Sequence, residues 1–201
     1  MKKSFKQLTL AALGVLLSAA GAQACEQYKN LSTAEMKEYR DKLVEAGADP
    51  LDRLFAFEEL SCSDNPTIRA YAIREGIAAA KDPLVREQIA FTSMMSKTRV
   101  DIELVIDSNA SATDKKIVQG LSGLWSREAR FKSPQHGCIS FNSTDNCWTA
   151  TSLFVKGDKI EMNFNDLLGE FHLTSDNVFA GFIRFDDRAD NGRVPAVIKL
   201  H

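Results

Sequence analysis

The sequence predicts an α+β protein, with antiparallel helices over residues 25–97 and an antiparallel β-meander, closed into a barrel or folded into a sandwich, over residues 115–201. Helix-start signals recur up to about residue 97, and apolar residues alternate with polar ones after it. The composition, 44% hydrophobic and 26% charged over 201 residues, is typical of a globular chain. A net charge of -2 argues against the basic surface of a nucleic-acid-binding protein.

Residues 1–24 have the pattern of a cleaved secretory signal peptide. Lysines precede an apolar run over residues 8–20, and Ala22 with Ala24 gives the small-x-small cleavage pattern. The run is shorter than the roughly 20 apolar residues of a membrane-spanning helix. We therefore expect a periplasmic or secreted chain with no membrane span. A lipid anchor on the new N-terminal Cys25 is an alternative, although lipoprotein signals usually have a large aliphatic residue in place of Ala22.

The helical region begins with strong start signals. Ser32 and Glu35 form a capping-box pattern, and we expect the helix that follows to end at Gly47. An N-cap residue followed by proline then occurs three times, at Asp49, Asn65 and Asp82. These signals predict three more helices of about 12 to 15 residues each.

Each of these three later starts continues as Pro-x-x-Arg, with the arginines at Arg53, Arg69 and Arg86. Over residues 49–97 the pattern resembles the helix starts of HEAT-type repeats, in which antiparallel helices stack in sequence. The resemblance implies a protein-binding scaffold. A plain bundle of antiparallel helices with good caps is the alternative.

Apolar residues at helical spacing predict the buried face of each helix. In the first helix these residues are Met36, Tyr39, Leu43 and Val44. In the other three they are Leu51, Leu54, Phe55, Ile73, Ile77, Leu84, Phe91 and Met95.

The period changes after about residue 98. Apolar residues alternate from Val100 to Ile106 and predict a half-buried strand, and the polar residues 108–114 complete a strand-and-linker segment over residues 98–114. Further alternating segments, separated by turn signals, lie at residues 148–155, 160–164, 171–173, 179–185 and 194–200. Together they predict six to eight short antiparallel strands.

Four cysteines follow the predicted cleavage site, and an even number in an exported chain predicts two disulfides. The pairing nearest in sequence joins Cys25 with Cys62 and Cys138 with Cys147, and the other two pairings remain open. Acylation of Cys25 would leave an unpaired thiol. The sequence lacks Cys-x-x-Cys and zinc-type spacings, so it predicts neither a metal site nor a cofactor.

Gly123, Leu124 and Trp125 match the Gly-x-Trp that opens the first strand of lipocalin-like and avidin-like barrels. The resemblance implies a ligand pocket inside a barrel, and a buried structural tryptophan is the alternative. Trp125 and Trp148 are the candidate ligand-stacking residues, because an indole ring combines a flat apolar face with one polar N–H.

The sequence predicts no catalytic residues. His136 lies close to Cys138, but an exported cysteine with a second cysteine nine residues on is expected in a disulfide. Glu161 and Glu170 could act as a carboxylate pair, yet both lie on the polar side of predicted strands. Residues 186–192 are acid-rich but lack two ligands of a calcium-binding loop, so we interpret them as a polar hairpin.

Repeated helix starts, an acidic helical region and the absence of a catalytic motif together favour a binding function. The first hypothesis is a non-enzymatic protein of the bacterial envelope that binds another envelope or secreted protein, as an adaptor, inhibitor or immunity-type factor does. The second is a β-domain protein that binds a small ligand or a glycan. The third is an envelope hydrolase whose site is assembled by folding.

Overall fold

The computed structural model describes residues 28–106, 110–185 and 192–200, and in these ranges four helices precede an antiparallel sheet. The helices are α1 (Thr33–Val44), α2 (Pro50–Ser61), α3 (Pro66–Ala79) and α4 (Pro83–Ser96), and α5 (Ala112–Gly120) follows the first strand. The α+β class is therefore confirmed. None of the helices in the described ranges has the length and apolar character needed to cross a bilayer.

The predicted helix starts are confirmed. The Glu35 N–H donates to Ser32 Oγ, and the Ser32 N–H donates to the Glu35 carboxylate at 2.8 Å. Asp49, Asn65 and Asp82 each accept the N–H of the residue two positions on, at 2.9 Å. Each cap satisfies an N–H that the helix itself cannot, so the caps fix where the helices begin.

The four helices form two layers. α1 and α3 contact each other in one layer, α2 and α4 contact each other in the second, and each helix also packs against the next in sequence. Both the HEAT resemblance and the bundle alternative predict such antiparallel neighbours. α1 ends at Val44 and not at the predicted Gly47, which takes a φ of +93° in the turn that follows.

The buried face of α2 differs from the predicted one. Leu51 and Phe55 are 59% and 56% exposed, whereas Phe57, Leu60 and the guanidinium-bearing Arg53 are buried. The helix carries two apolar stripes, and it buries the stripe of Phe57 and Leu60, on the side where Arg53 also lies. The Arg53 side chain donates to the carbonyl groups at the end of α1. If the helix buried the stripe of Leu51 and Phe55 instead, those carbonyl groups would lose this donor.

Two further residues predicted to be buried are exposed, Leu84 at 74% and Val44 at 40%. On α4, Val85 and Ile89 occupy the buried face in place of Leu84. The predicted core residues Leu43, Ile73 and Ile77 are confirmed, and Tyr39, Leu54, Phe91 and Met95 are partly buried against the core.

The strands form one curled antiparallel sheet, a half-barrel of nine strands within the described residues. They are β1 (Arg99–Leu104), β2 (Leu124–Glu128), β3 (Phe131–Ser133), β4 (Cys138–Ser140), β5 (Thr151–Lys156), β6 (Lys159–Phe164), β7 (Leu167–Leu173), β8 (Val178–Phe185) and β9 (Val194–Lys199). Their order is β2-β1-β9-β8-β7-β6-β5-β4-β3. The run from β3 to β9 is the predicted meander.

The two edges of the sheet are joined by a short link. β2 and β3 are the edge strands, and only Ala129 and Arg130 separate them. The Ala129 N–H donates to the Thr98 carbonyl and the Arg130 N–H donates to the Ser140 carbonyl, both at 2.9 Å. The link is thus hydrogen-bonded beside β1 and to the end of β4, and the sheet curls so that its edges approach each other there.

Alternate strand residues fill the buried face of the sheet. Ile102, Phe171, Phe179 and Ile183 are 0% exposed. Gly181 of β8 faces the same interior. A Cβ at this position would lie 2.7 Å from the Phe171 Cα and would collide with the Glu170 carbonyl on β7. Glycine at this position therefore lets the backbone of β7 pack closely against β8.

α4 connects the helices to the sheet. Arg86 Nη2 donates to the Thr174 carbonyl at 2.8 Å and to Asn177 Oδ1 at 3.2 Å, in the turn between β7 and β8. Lys132 Nζ donates to the Lys97 carbonyl at 3.1 Å, at the end of α4. Buried residues of the helices and of the sheet belong to one hydrophobic core.

The segment predicted as a linker contains the start of α5. Ser111 and Asp114 form a capping box, and Ile117 and Val118 are buried. The helix has nine residues, too few for a helical period to register in the sequence. Residues 107–109 of the predicted linker lie outside the described residues.

Candidate binding sites

An apolar groove lies between α1 and α3. It has a volume of about 290 Å³, and four of its lining side chains are Met36, Leu60, Ile68 and Tyr71. Met36 and Ile68 are partly exposed along the groove, and Leu60, at the end of α2, is buried beneath it. We call this feature the α1/α3 groove.

The rim of the α1/α3 groove carries cationic side chains. Lys37 and Arg40 line the groove from α1, and they lie one turn apart with Met36 on the same side of that helix. Arg74 of α3 lies over the Tyr71 ring, with its guanidinium carbon 5.9 Å from the ring centroid. Arg40 is also paired with Asp41, and Arg74 with Glu75. The groove therefore combines an apolar floor with the cationic side chains of Lys37 and Arg40, within a region in which acidic residues outnumber basic ones.

The repeated arginines of the Pro-x-x-Arg motif serve the fold. Arg53 donates to the Leu43 carbonyl at 2.5 Å and to the Glu45 carbonyl at 2.7 Å, so it caps the C-terminus of α1. Arg69 donates to the Ser63 carbonyl at 2.5 Å, in the turn between α2 and α3. Together with the contacts of Arg86 to the sheet, these bonds explain why arginine recurs at this position.

The disulfide between Cys138 and Cys147 is confirmed. It joins β4 to the loop that leads into β5. Cys62 is also disulfide-bonded, and its predicted partner Cys25 lies outside the described residues, as do residues 1–24 of the predicted signal peptide.

A cleft lies against the loop that the disulfide closes. It has a volume of about 390 Å³, and its lining residues are Asn142, Ser143, Thr144, Trp148 and Thr151. Trp148 directly follows the disulfide, and 64% of it is exposed. We call this feature the Trp148 cleft.

The second predicted stacking residue, Trp125, belongs to the core. It is 3% exposed, and its ring meets Phe141 and Phe164 edge-to-face at centroid distances of 5.1 and 5.5 Å. Arg127 covers the ring from outside, 5.6 Å from its centroid. Trp125 is thus packed as a buried structural tryptophan, the alternative to a ligand-stacking role, and its ring has no face open to a ligand. The Trp148 ring is exposed.

A second cleft, of about 590 Å³, lies beside the disulfide. Its lining includes Phe131, His136, Asp145 and Phe154 together with the two cysteines. The sequence placed His136 beside Cys138, but that sulfur is in a disulfide, so the pair is not a thiol and its base.

The structure brings the candidate carboxylate pair together, but as part of a network of salt bridges with lysines. Glu161 and Glu170 are opposite each other on β6 and β7, and Lys159 Nζ lies 3.1 Å and 3.0 Å from their carboxylate oxygens. Hydrogen bonds from Lys156 and Lys159 lower the pKa of Glu161, and a hydrogen bond from Lys159 lowers that of Glu170. Both groups stay ionised near neutral pH, so neither resembles the protonated acid that a carboxylate pair needs for glycoside hydrolysis.

Histidines and acidic side chains do not converge on a metal position in the part of the chain that the structure describes. His172 lies 3.6 Å from Glu170 and 4.0 Å from Asp158, at the exposed surface of the sheet. Residues 186–191 of the acid-rich segment and His201 lie outside the described residues.

Sequence reasoning found Trp148 but missed the residues around it. The available signal was the polar run between Cys138 and Cys147, which places amide and hydroxyl groups beside the indole ring. It also missed the α1/α3 groove, because Met36 was assigned to the core and Tyr71 to no site. A groove between two helices depends on their packing, and helical periodicity alone does not show it.

Comparison with protein-family models, with curated proteins and with solved structures finds no match.

Proposed function

We propose that the protein is an exported binding protein of the bacterial envelope that holds a segment of another protein in the α1/α3 groove. The observation that carries the proposal is the combination of an apolar floor with a cationic rim on α1. The signal-peptide pattern and the disulfides support export to the periplasm or secretion.

The chemistry of the groove supports one class of partner. Met36, Ile68 and Tyr71 offer contact to apolar side chains, and Lys37 with Arg40 offers contact to carboxylates. An amphipathic segment with apolar anchors at helical spacing and acidic residues beside them matches both features. The groove is small, so it fits side chains of a segment and not the surface of a folded domain.

The experiment is a selection of displayed peptides on the oxidised protein, followed by measurement of Kd by fluorescence anisotropy. We expect enrichment of peptides that combine apolar and acidic residues. The double variant Lys37→Glu/Arg40→Glu should weaken their binding by at least about tenfold and select basic peptides instead. The matched control is Lys115→Glu/Lys116→Glu on α5, which makes the same change in net charge away from the groove.

A second pair of variants tests the apolar floor. Ile68→Asp places a carboxylate in the groove, and Leu84→Asp places one on an exposed residue of α4. Both positions lie in the first turn of a helix, where a negative charge is tolerated. Ile68 also packs against the core, so the Tm of each variant is measured before its binding. Ile68→Asp should abolish peptide binding and Leu84→Asp should leave it unchanged. If both variants bind like the parent, the groove is not the binding site.

A further inference from the structure

We propose that the Trp148 cleft binds a neutral saccharide, with the Trp148 ring as its stacking surface. This site lies on the sheet side of the molecule and is independent of the α1/α3 groove. Three features of the cleft support the proposal: the exposed ring, the rigid loop that carries it, and the uncharged polar lining.

The first feature is the exposed ring. Trp148 is 64% exposed, whereas the other tryptophan is buried in the core. Leaving a large apolar ring in water forgoes the free energy that its burial would provide, and tryptophan is one of the residue types enriched at the hot spots of protein interfaces. The apolar C–H face of a pyranose ring is flat and matches an indole face in size.

The second feature is the rigidity of the loop. The Cys138–Cys147 disulfide ends one residue before Trp148, and the Thr151 N–H donates to the Trp148 carbonyl at 3.0 Å. Ser143 anchors the rest of the loop, because its N–H donates to Ser140 Oγ and its hydroxyl donates to the Asp145 carboxylate at 2.6 Å. A loop held in this way loses little conformational freedom when a ligand binds beside it.

The third feature is the lining. Asn142, Ser143, Thr144 and Thr151 line the cleft with one amide and three hydroxyl groups, and none of the described residues that line it is charged. The Ser143 hydroxyl already donates to Asp145 and Thr151 is largely buried, so Asn142 and Thr144 are the main polar groups offered to a ligand. Neutral groups that both donate and accept hydrogen bonds match the hydroxyl groups of a sugar. The volume of about 390 Å³ lies in the range of small-molecule sites, roughly 300–1,000 Å³.

The neighbouring cleft does not share this chemistry. It contains His136 and Asp145, both ionisable, and its aromatic residues Phe131 and Phe154 are partly covered. The comparison favours the Trp148 cleft as the site for a neutral ligand.

The test is isothermal titration calorimetry of the oxidised protein with three neutral trisaccharides, cellotriose, maltotriose and chitotriose, and with 3′-sialyllactose as a charged comparator. We expect at least one neutral trisaccharide to bind with a Kd of about 1 mM or tighter. Trp148→Ala should weaken that Kd by at least about tenfold, and Trp148→Phe should retain most of the affinity. Asn142→Ala, which removes a hydrogen-bonding group but leaves the ring in place, should weaken it by a smaller factor.

Two controls separate this site from other surfaces. Phe55→Ala removes a similarly exposed aromatic ring, 56% against 64% for Trp148, from α2 and should leave saccharide binding unchanged. Lys37→Glu/Arg40→Glu changes the α1/α3 groove and should also leave saccharide binding unchanged. The saccharide result therefore stands even if the α1/α3 groove binds no peptide. The proposal is overturned if no neutral trisaccharide binds, if only the charged one binds, or if Trp148→Ala binds like the parent.

Discussion

Replacing Arg53 with methionine tests whether the repeated arginine holds the helices together. Methionine keeps the aliphatic stem and removes both hydrogen bonds, to the Leu43 carbonyl at 2.5 Å and to the Glu45 carbonyl at 2.7 Å. A charge-assisted hydrogen bond contributes about 1.5–3 kcal/mol. The bond to Leu43 is buried, so its loss leaves an unpaired acceptor, whereas water can reach the carbonyl of the exposed Glu45. We therefore expect Arg53→Met to lower the free energy of unfolding by about 2–4 kcal/mol.

The measurement is urea unfolding of the oxidised protein, followed by circular dichroism, with Arg69→Met as the matched variant. Arg69 makes one such bond, to the Ser63 carbonyl, and that bond is only partly buried, so its loss should cost about 1–2 kcal/mol. For a chain of this size the loss at Arg53 corresponds to a fall in Tm of roughly 5–12 °C. If Arg53→Met lies within about 0.5 kcal/mol of the parent, the capping role is wrong.

Three further predictions concern the sheet, the disulfide and pH. Gly181→Ala should destabilise the protein by about 3 kcal/mol in urea unfolding, because its Cβ would meet the backbone of β7, whereas Gly120→Ala, with open space around it, should have little effect. Cys138→Ser/Cys147→Ser should lower the free energy of unfolding by about 2.5–3 kcal/mol, and an unchanged urea midpoint would contradict this. Burial raises the pKa of Tyr39 to about 12 from 10.0. The folded state therefore retains this proton more strongly, and the stability it contributes is lost as pH rises from 10.0 to about 12, a loss that Tyr39→Phe should reduce in unfolding measured across that range.

The helix starts could be predicted from the sequence because caps are local. Asp49 and Asn65 act on N–H groups two residues away, so the nearest few residues determine the outcome. The buried face of α2 could not be predicted in this way. Its choice between the stripe of Phe55 and that of Phe57 depends on where the carbonyl groups of α1 lie, and this is a property of packing.

The strands of the meander were predicted from alternation, since one side of each faces the core. The place of β1 between β2 and β9 was not predicted, because strand order depends on pairing between distant segments.

The sequence could not show which of the two tryptophans, Trp125 and Trp148, is buried. The first meets Phe141 and Phe164 only after the sheet curls, and the second is held outside by the disulfide loop.

The position of β1 has a consequence for how the chain matures. β9 pairs with β1 on one side and β8 on the other, and Lys199 Nζ lies 2.7 Å from Glu103 Oε1 across 96 residues of sequence. Pairing over such a distance forms slowly, because a long loop must close first. Until residues 194–199 have emerged, β1 and β8 both present unpaired edges that can join strands of other molecules. A nascent or proteolytically shortened chain lacking β9 should therefore be the aggregation-prone species, and the one that most needs chaperone protection during its maturation.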